Sequence, residues 1–283
     1  MTENTEPIIS LKNLTMQYSE KHVLNGIDLD VHKGQIIGYI GPNGAGKSTT
    51  LKIILGLVDG YGGKVEVFGE DILTGNHAYK KKIGYVPENA EIYDNLTACE
   101  YLTFVGELYG LDAEEAEQKA ENLMQAFEMA DVFHARISSF SKGMKQKVLI
   151  TSSLLHDPDL IFLDEPLSGL DANSVMIMKD ILEELAKRGK TIFYSSHIMD
   201  VVEKISNRIV LIADGQIRAD GSFEELQVES KEGSLENIFN QLTGFDEHRE
   251  KAEQFVKIIT NESVREQVTE NVRDGKSVGD ENE

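Results

Sequence analysis

Apolar and polar positions change rhythm several times along the chain, and each rhythm predicts a different element. Residues 8 to 15 and 23 to 31 alternate, as in Val23-Leu-Asn-Gly-Ile-Asp-Leu-Asp-Val31, which predicts half-exposed antiparallel strands. Short unbroken apolar runs follow at 36–40, 83–86, 160–163, 191–194 and 209–213, separated by helical stretches. Strands that are apolar on both faces belong to a parallel sheet covered by helices on both sides. The reading is an α/β fold with an antiparallel β segment.

Between Asn95 and Ala135 the period is helical, with apolar positions at Leu102, Val105, Leu108, Leu123, Phe127 and Ala130 and acidic residues between them. This predicts a helical subdomain over about residues 89–150. Near the end, Leu235, Ile238, Phe239 and Leu242 make one helical stripe that Gly244 can terminate, and Ala252, Phe255, Val256 and Ile259 make another. Residues 223–283 carry 16 Asp and Glu against 7 Lys and Arg. They read as an acidic extension, helical to about residue 272 and disordered from Gly275 onward.

At 283 residues and 40% hydrophobic content the chain can bury one large core with a subdomain. No apolar window is long enough to span a bilayer, and the first residues lack the basic and apolar regions of a signal peptide, so the expected location is the cytosol. Cys99 is the single cysteine, which excludes an internal disulfide and suits a reducing compartment. A net charge of −21 argues against a broad electrostatic hold on nucleic acid and points to protein as any large partner.

The strongest chemical signal is Gly41-Pro-Asn-Gly-Ala-Gly-Lys-Ser-Thr49, directly after the run that ends at Ile40. A glycine-rich turn between a strand and a helix is a phosphate-binding loop: Gly41, Gly44 and Gly46 let backbone amides converge on a polyphosphate, Lys47 adds a positive charge, and Ser48 offers a hydroxyl to Mg²⁺. ATP or GTP is the expected ligand. Further on, Leu160-Ile-Phe-Leu-Asp-Glu-Pro166 puts Asp164 and Glu165 at the end of an apolar strand, where a metal would offset the cost of burying carboxylates. Ser138-Ser-Phe-Ser-Lys-Gly-Met-Lys-Gln146 precedes it, Ser168-Gly-Leu-Asp171 follows, and Ile192-Phe-Tyr-Ser-Ser-His197 closes the series.

With these motifs in this order, residues 8 to 222 resemble the nucleotide-binding subunits of ABC transporters. The resemblance implies a P-loop ATPase domain over residues 1–222, and a head-to-tail dimer with an identical or homologous subunit in which each ATP lies between one phosphate loop (Gly41, Pro42, Asn43, Gly44, Ala45, Gly46, Lys47, Ser48, Thr49) and the partner's signature motif. It implies that Ser48 holds Mg²⁺ and Asp164 holds it through water, that Glu165 is the general base polarising the attacking water, and that His197 contacts the γ phosphate and orients that water. Ser141 and Gly143 would meet the partner's phosphate, Asp171 would shape the dimer seam, and adenine would stack on Tyr18.

The sequence departs from the family's commonest pattern at Glu88, where a glutamine is usual, and at Lys142 and Met144, where Gly and Gln are usual. An anion at position 88 is placed to bind Mg²⁺ or its water. Glu88 together with a Ser-Lys-Gly-Met signature resembles the branch that exports drugs, peptides, lipids or polysaccharides through a separate polytopic permease, with the ATPase held at the inner face of the membrane. An importer ATPase and a soluble ABC protein remain as alternatives. Glu88 to Thr97 with the helical subdomain would then form a groove for a permease helix. The acidic extension reads either as a further dimer or partner contact or as a solvated helix.

Overall fold

The structure, a computed structural model, describes residues 6–88, 92–196, 198–244 and 248–260. By its contacts the chain divides into two units, Met1–Ile238 and Phe239–Glu283. In the first unit β1 (Ile9–Tyr18), β2 (Lys21–Val31), β4 (Gly62–Val67) and β5 (Glu70–Asp71) make an antiparallel sheet in the order β2-β1-β4-β5. A second sheet contains β3 (Ile36–Ile40), β6 (Ile83–Val86), β7 (Leu160–Asp164), β8 (Thr191–Ser195), β9 (Arg208–Ala213) and β10 (Gln216–Gly221) in the order β10-β9-β3-β8-β7-β6. Its strands pair in parallel except β10, which runs antiparallel to β9.

All five predicted apolar runs are strands of this second sheet. Residues of β3, β7 and β8 are buried throughout, as strands covered on both faces must be. Helix α1 (Lys47–Ile54) contributes Leu51 and Ile54 to a core shared with Ile9, Leu11, Leu24 and Ile27 of the antiparallel sheet and with Ile37, Phe162, Phe193 and Val210 of the large one. Tyr39 and Phe162 flank Phe193 within it, with ring centroids 5.0 and 5.5 Å away. Each such fully buried side chain contributes about 1.5–3 kcal/mol relative to exposure. Because α1 is fixed between two sheets, the loop that leads into it has a rigid base.

The alternation expected over residues 8 to 15 is corrected: Ile8, Ile9, Ser10 and Leu11 are all buried. A register irregularity between Leu11 and Leu14, with Asn13 at φ 49, then resets which face of β1 points inward. In β2 the expected alternation holds from Ile27 to Val31, with Ile27, Leu29 and Val31 buried, but Gly26 at φ 84 and a register irregularity between Asn25 and Ile27 break it, so that Leu24 is buried as well.

Helices α2 (Ala98–Leu108), α3 (Ala113–Ala126) and α4 (Lys142–Leu154) pack on one another. Thr97 and Glu100 start α2 with a reciprocal capping box. The predicted stripe holds at Leu102 and Phe127, which are buried, and is corrected elsewhere: Leu108 is 65% exposed and Ala130 is exposed, whereas Ala98, Gly106, Ala116, Ala120 and Met124 are buried. The reason is close approach: a Cβ on Gly106 would lie 2.6 Å from the Ala116 Cβ, so small residues rather than large ones mark the contact.

Helices α5 (Ala172–Lys187) and α6 (Met199–Ile205) cover the other face of the large sheet, where a Cβ on Gly38 would meet Val202 at 2.5 Å. Helix α7 (Phe223–Ser230) follows β10, and α8 (Leu235–Thr243) carries the first predicted terminal stripe, with Leu235 and Ile238 buried. Gly244 at φ 68 follows its last turn. Helix α9 (His248–Ile259) carries the second stripe, whose Phe255, Val256 and Ile259 are exposed. The predicted helix to about 272 and the disorder from Gly275 lie outside the described residues.

Candidate active site

Parallel register brings the chemistry together. Ile40 of β3, Asp164 of β7 and Ser195 of β8 all end their strands at one edge, and the loops that leave β3, β6 and β7 there line a single cleft. The crevice at the carboxyl ends of parallel strands is where α/β sheets bind ligands. This cleft has a volume of about 270 Å³.

The loop's three glycines have three separate causes. Gly44, at φ 80, faces open space and is needed only for its backbone conformation. Gly46, at φ 109, precedes α1, and a Cβ there would lie 2.5 Å from Leu24 Cδ2 and 2.9 Å from the Val23 carbonyl. Gly41 has ordinary φ, but a Cβ would lie 2.2 Å from the Ile212 carbonyl of β9. Thr50 anchors the first turn of α1, donating to the Gly46 carbonyl at 3.0 Å and accepting from Tyr39 at 3.2 Å.

Helix α1 has no side-chain cap and no acid in its first turn, so its N-terminal amides are left for an anion. Lys47 donates to the carbonyls of Gly41 at 2.6 Å and Pro42 at 3.2 Å. Burial pushes its pKa below the ordinary lysine value, while Glu165, Asp164 and Glu88 pull it the other way.

The acidic pair is held by the neighbouring strand. Asp164 is only 6% exposed; its Oδ1 accepts from Ser195 Oγ, and its Oδ2 lies 3.5 Å from Ser48 Oγ. The Glu165 amide donates to the Ser195 carbonyl at 3.0 Å, and its carboxylate accepts from Ser196 Oγ at 3.3 Å. Glu165 has φ 49, a left-handed conformation that costs a non-glycine residue about 1–2 kcal/mol. Ser196 also accepts from the amide of Ile198 at 3.1 Å.

Asn43, Gly44, Gly46, Lys47, Ser48, Thr49, Glu88, Asp164 and Glu165 therefore share the cleft. Gly41, Pro42 and Ala45 form the loop beneath it, with Gly41 and Ala45 buried. Tyr18, 45% exposed at the end of β1, is not among the residues that line the cleft, and His197 lies outside the described residues.

Ser141, Gly143 and Asp171 form a second group around the N-terminus of α4. Ser141 caps that helix, accepting from the Met144 amide at 3.2 Å. A Cβ on Gly143 would lie 2.5 Å from the Gly169 carbonyl. Asp171 caps α5 and lies 3.8 Å from Lys147. Bonds from the hydroxyl and amide of Ser174 take its carboxyl pKa down to about 2.

Sequence reasoning missed Val23, Ser195 and Ser196. A pair of hydroxyls directly after an apolar strand was a usable signal for the serines. Val23 reaches the cleft only through sheet packing, and nothing in its local sequence marks it.

The family model described as ABC transporter matches residues 24–168. The chain is 35% identical to the ABC transporter ATP-binding protein NatA of Bacillus subtilis, over 82% of this chain and 96% of that protein. It is 36% identical to the linearmycin resistance ATP-binding protein LnrL of the same organism, over 77% of this chain and 70% of that one. A fluoroquinolones export ATP-binding protein of Mycobacterium tuberculosis is 35% identical over 78% of this chain and 73% of its own length. Among solved structures, an ATP-binding subunit of an ABC transporter superposes with a TM-score of 0.78 at 31% identity, covering 83% of this chain and 99% of that one. Among the described residues no helix is long and apolar enough to cross a membrane. The motifs, the α/β cassette fold and these relatives place the chain in the ABC transporter family, as an ATP-binding and ATP-hydrolysing subunit.

Proposed function

We propose that residues 1–222 form an ATPase domain that drives export through a separate polytopic permease, at the inner face of the membrane. The observation that carries the catalytic part is the single cleft in which the phosphate loop faces Asp164 and Glu165, the first held by Ser195 at the end of β8 and the second by Ser196 just after it. In this reading Lys47 exchanges the carbonyls of Gly41 and Pro42 for the β and γ phosphates of ATP, and the amides at the start of α1 receive the same anion. Glu165 accepts the proton of the attacking water, and Ser196 keeps its carboxylate aimed. By the resemblance, His197 orients that water and Tyr18 stacks on adenine.

Ser48 and Asp164 fit a hard cation: a hydroxyl and a carboxylate oxygen 3.5 Å apart are oxygen donors of the kind that would hold Mg²⁺, Asp164 through a water. Glu88, on the same cleft, would hold another such water. When bound, Mg²⁺ neutralises charge that develops on the phosphate oxygens.

Ser141 and Gly143, at the N-terminus of the 13-residue helix α4, would receive the γ phosphate of a second ATPase subunit, so that ATP closes the dimer and hydrolysis opens it. Export is favoured by the names of two relatives, one of linearmycin resistance and one of fluoroquinolones export. The test is to purify the chain carrying Glu165→Gln with ATP from solubilised membranes. Loss of turnover by about 10²-fold or more, with a stoichiometric polytopic protein retained, is the expected result. Recovery of soluble partners alone would reject the transporter part, and undiminished turnover would reject Glu165 as base.

A further inference from the structure

The turn after Glu165 is fastened to α4 by two residues one helical turn apart. Gln146, buried, donates to the Pro166 carbonyl at 3.1 Å. Lys142, exposed at the first position of α4, donates to Ser168 Oγ at 3.1 Å. Positions i and i+4 share a helix face, so both bonds reach the same turn. The Ser168 amide in its turn donates to the Glu165 carbonyl at 3.1 Å. Lys142 is thus two hydrogen bonds from the backbone of the acid in the cleft.

The backbone accommodates this path. Gly169 has φ 82, and a Cβ there would lie 3.2 Å from both Cγ and Cδ of Lys142, so the bare α-carbon gives the lysine stem room to cross. Gly143 lets the start of α4 approach the Gly169 carbonyl. The usual glycine of the family's signature at position 142 has no side chain with which to make the tie.

We propose that Lys142 is a positioning residue that couples the two half-sites: it ties the α4 N-terminus, where the partner subunit's ATP is read, to the turn that sets Glu165. This rests on the half-site reading above. A phosphate arriving at α4 offers the ammonium a charge-assisted partner stronger than the Ser168 hydroxyl. The lysine's shift between the two reports one subunit's nucleotide to the other's general base.

The experiment measures steady-state ATP hydrolysis and ADP affinity of the full chain. Lys142→Met keeps the stem and removes the charge; its kcat is expected to fall about tenfold, with ADP affinity at the phosphate loop within about twofold of the parent. Lys142→Arg is expected to recover to within about threefold, and Lys142→Met combined with Ser168→Ala to be no worse than the more affected single variant, because both break one path. Unchanged kcat in Lys142→Met, or losses that multiply in the double variant, would overturn the proposal. Glu165→Gln, run in parallel, separates the two levels. Turnover lost there but intact in Lys142→Met rejects only the coupling, whereas turnover retained in Glu165→Gln rejects the base assignment and the coupling with it.

Discussion

Alanine at Gly46 and alanine at Gly44 are the same change at two positive-φ positions of one loop, yet the structure separates their consequences. At Gly46, φ 109 is foreign to an L-residue, a cost of about 1–3 kcal/mol. The new Cβ would also stand 2.5 Å from Leu24 Cδ2 and 2.9 Å from the Val23 carbonyl, and overpacking of this kind adds about 1–3 kcal/mol. The carbonyl cannot yield without moving β2, and Leu24 is fully buried, so the two costs together come to about 2–6 kcal/mol. At Gly44 nothing lies within 4 Å of the added Cβ, which leaves the conformational cost of about 1–2 kcal/mol. Urea unfolding without nucleotide, at unchanged m, measures both. Gly44→Ala should instead show its larger effect on ATP affinity, because Gly44 lines the cleft. Equal destabilisation of the two variants, or a larger one at Gly44, would refute the packing argument.

Ser195→Ala removes the hydroxyl that donates to buried Asp164 and should lower stability by about 1.5–3 kcal/mol, the range for a bond to a charged group, as read by denaturant unfolding. For Asp171 the folded carboxyl lies at about 2, below its ordinary 3.8, so its contribution to stability is fully present above pH 4 and is lost as pH falls toward 2. Asp171→Ala should therefore narrow its stability gap to the parent as pH is lowered from 5 to 3, and a gap that widens would contradict the direction of the shift.

The large sheet was legible because burial on both faces leaves unbroken apolar runs such as those at 36–40 and 160–163, which polar loops do not imitate. The facing of β1 was not, since the irregularity at Asn13 changes faces without changing composition. Where α2 packs on α3, Gly106 and Ala116 make the close contact, and small residues carry little weight in an apolar stripe. At the candidate site, the cleft-lining residues between Gly41 and Thr49, with Asp164 and Glu165, stood out in the sequence because phosphate and carboxylate chemistry constrains residue type. Of the residues beside them, Ser195 and Ser196 were marked by the hydroxyl pair at the end of an apolar run, but which acid each meets depends on the sheet order, and Val23 has no local signal at all.

Strand β8 pairs Asp164 with Ser195, and the following residue, Ser196, reaches Glu165. A slip of one residue in this pairing would take Phe193 from between Tyr39 and Phe162, whose ring centroids lie 5.0 and 5.5 Å from its own, and force different side-chain volumes into a packed core. The strand's greasy stretch thus works as a ruler, and its zero mark is where the two hydroxyls begin. Insertions in the loop between α5 and β8 leave that ruler intact, while a deletion between residues 192 and 196 would misalign both acids at once.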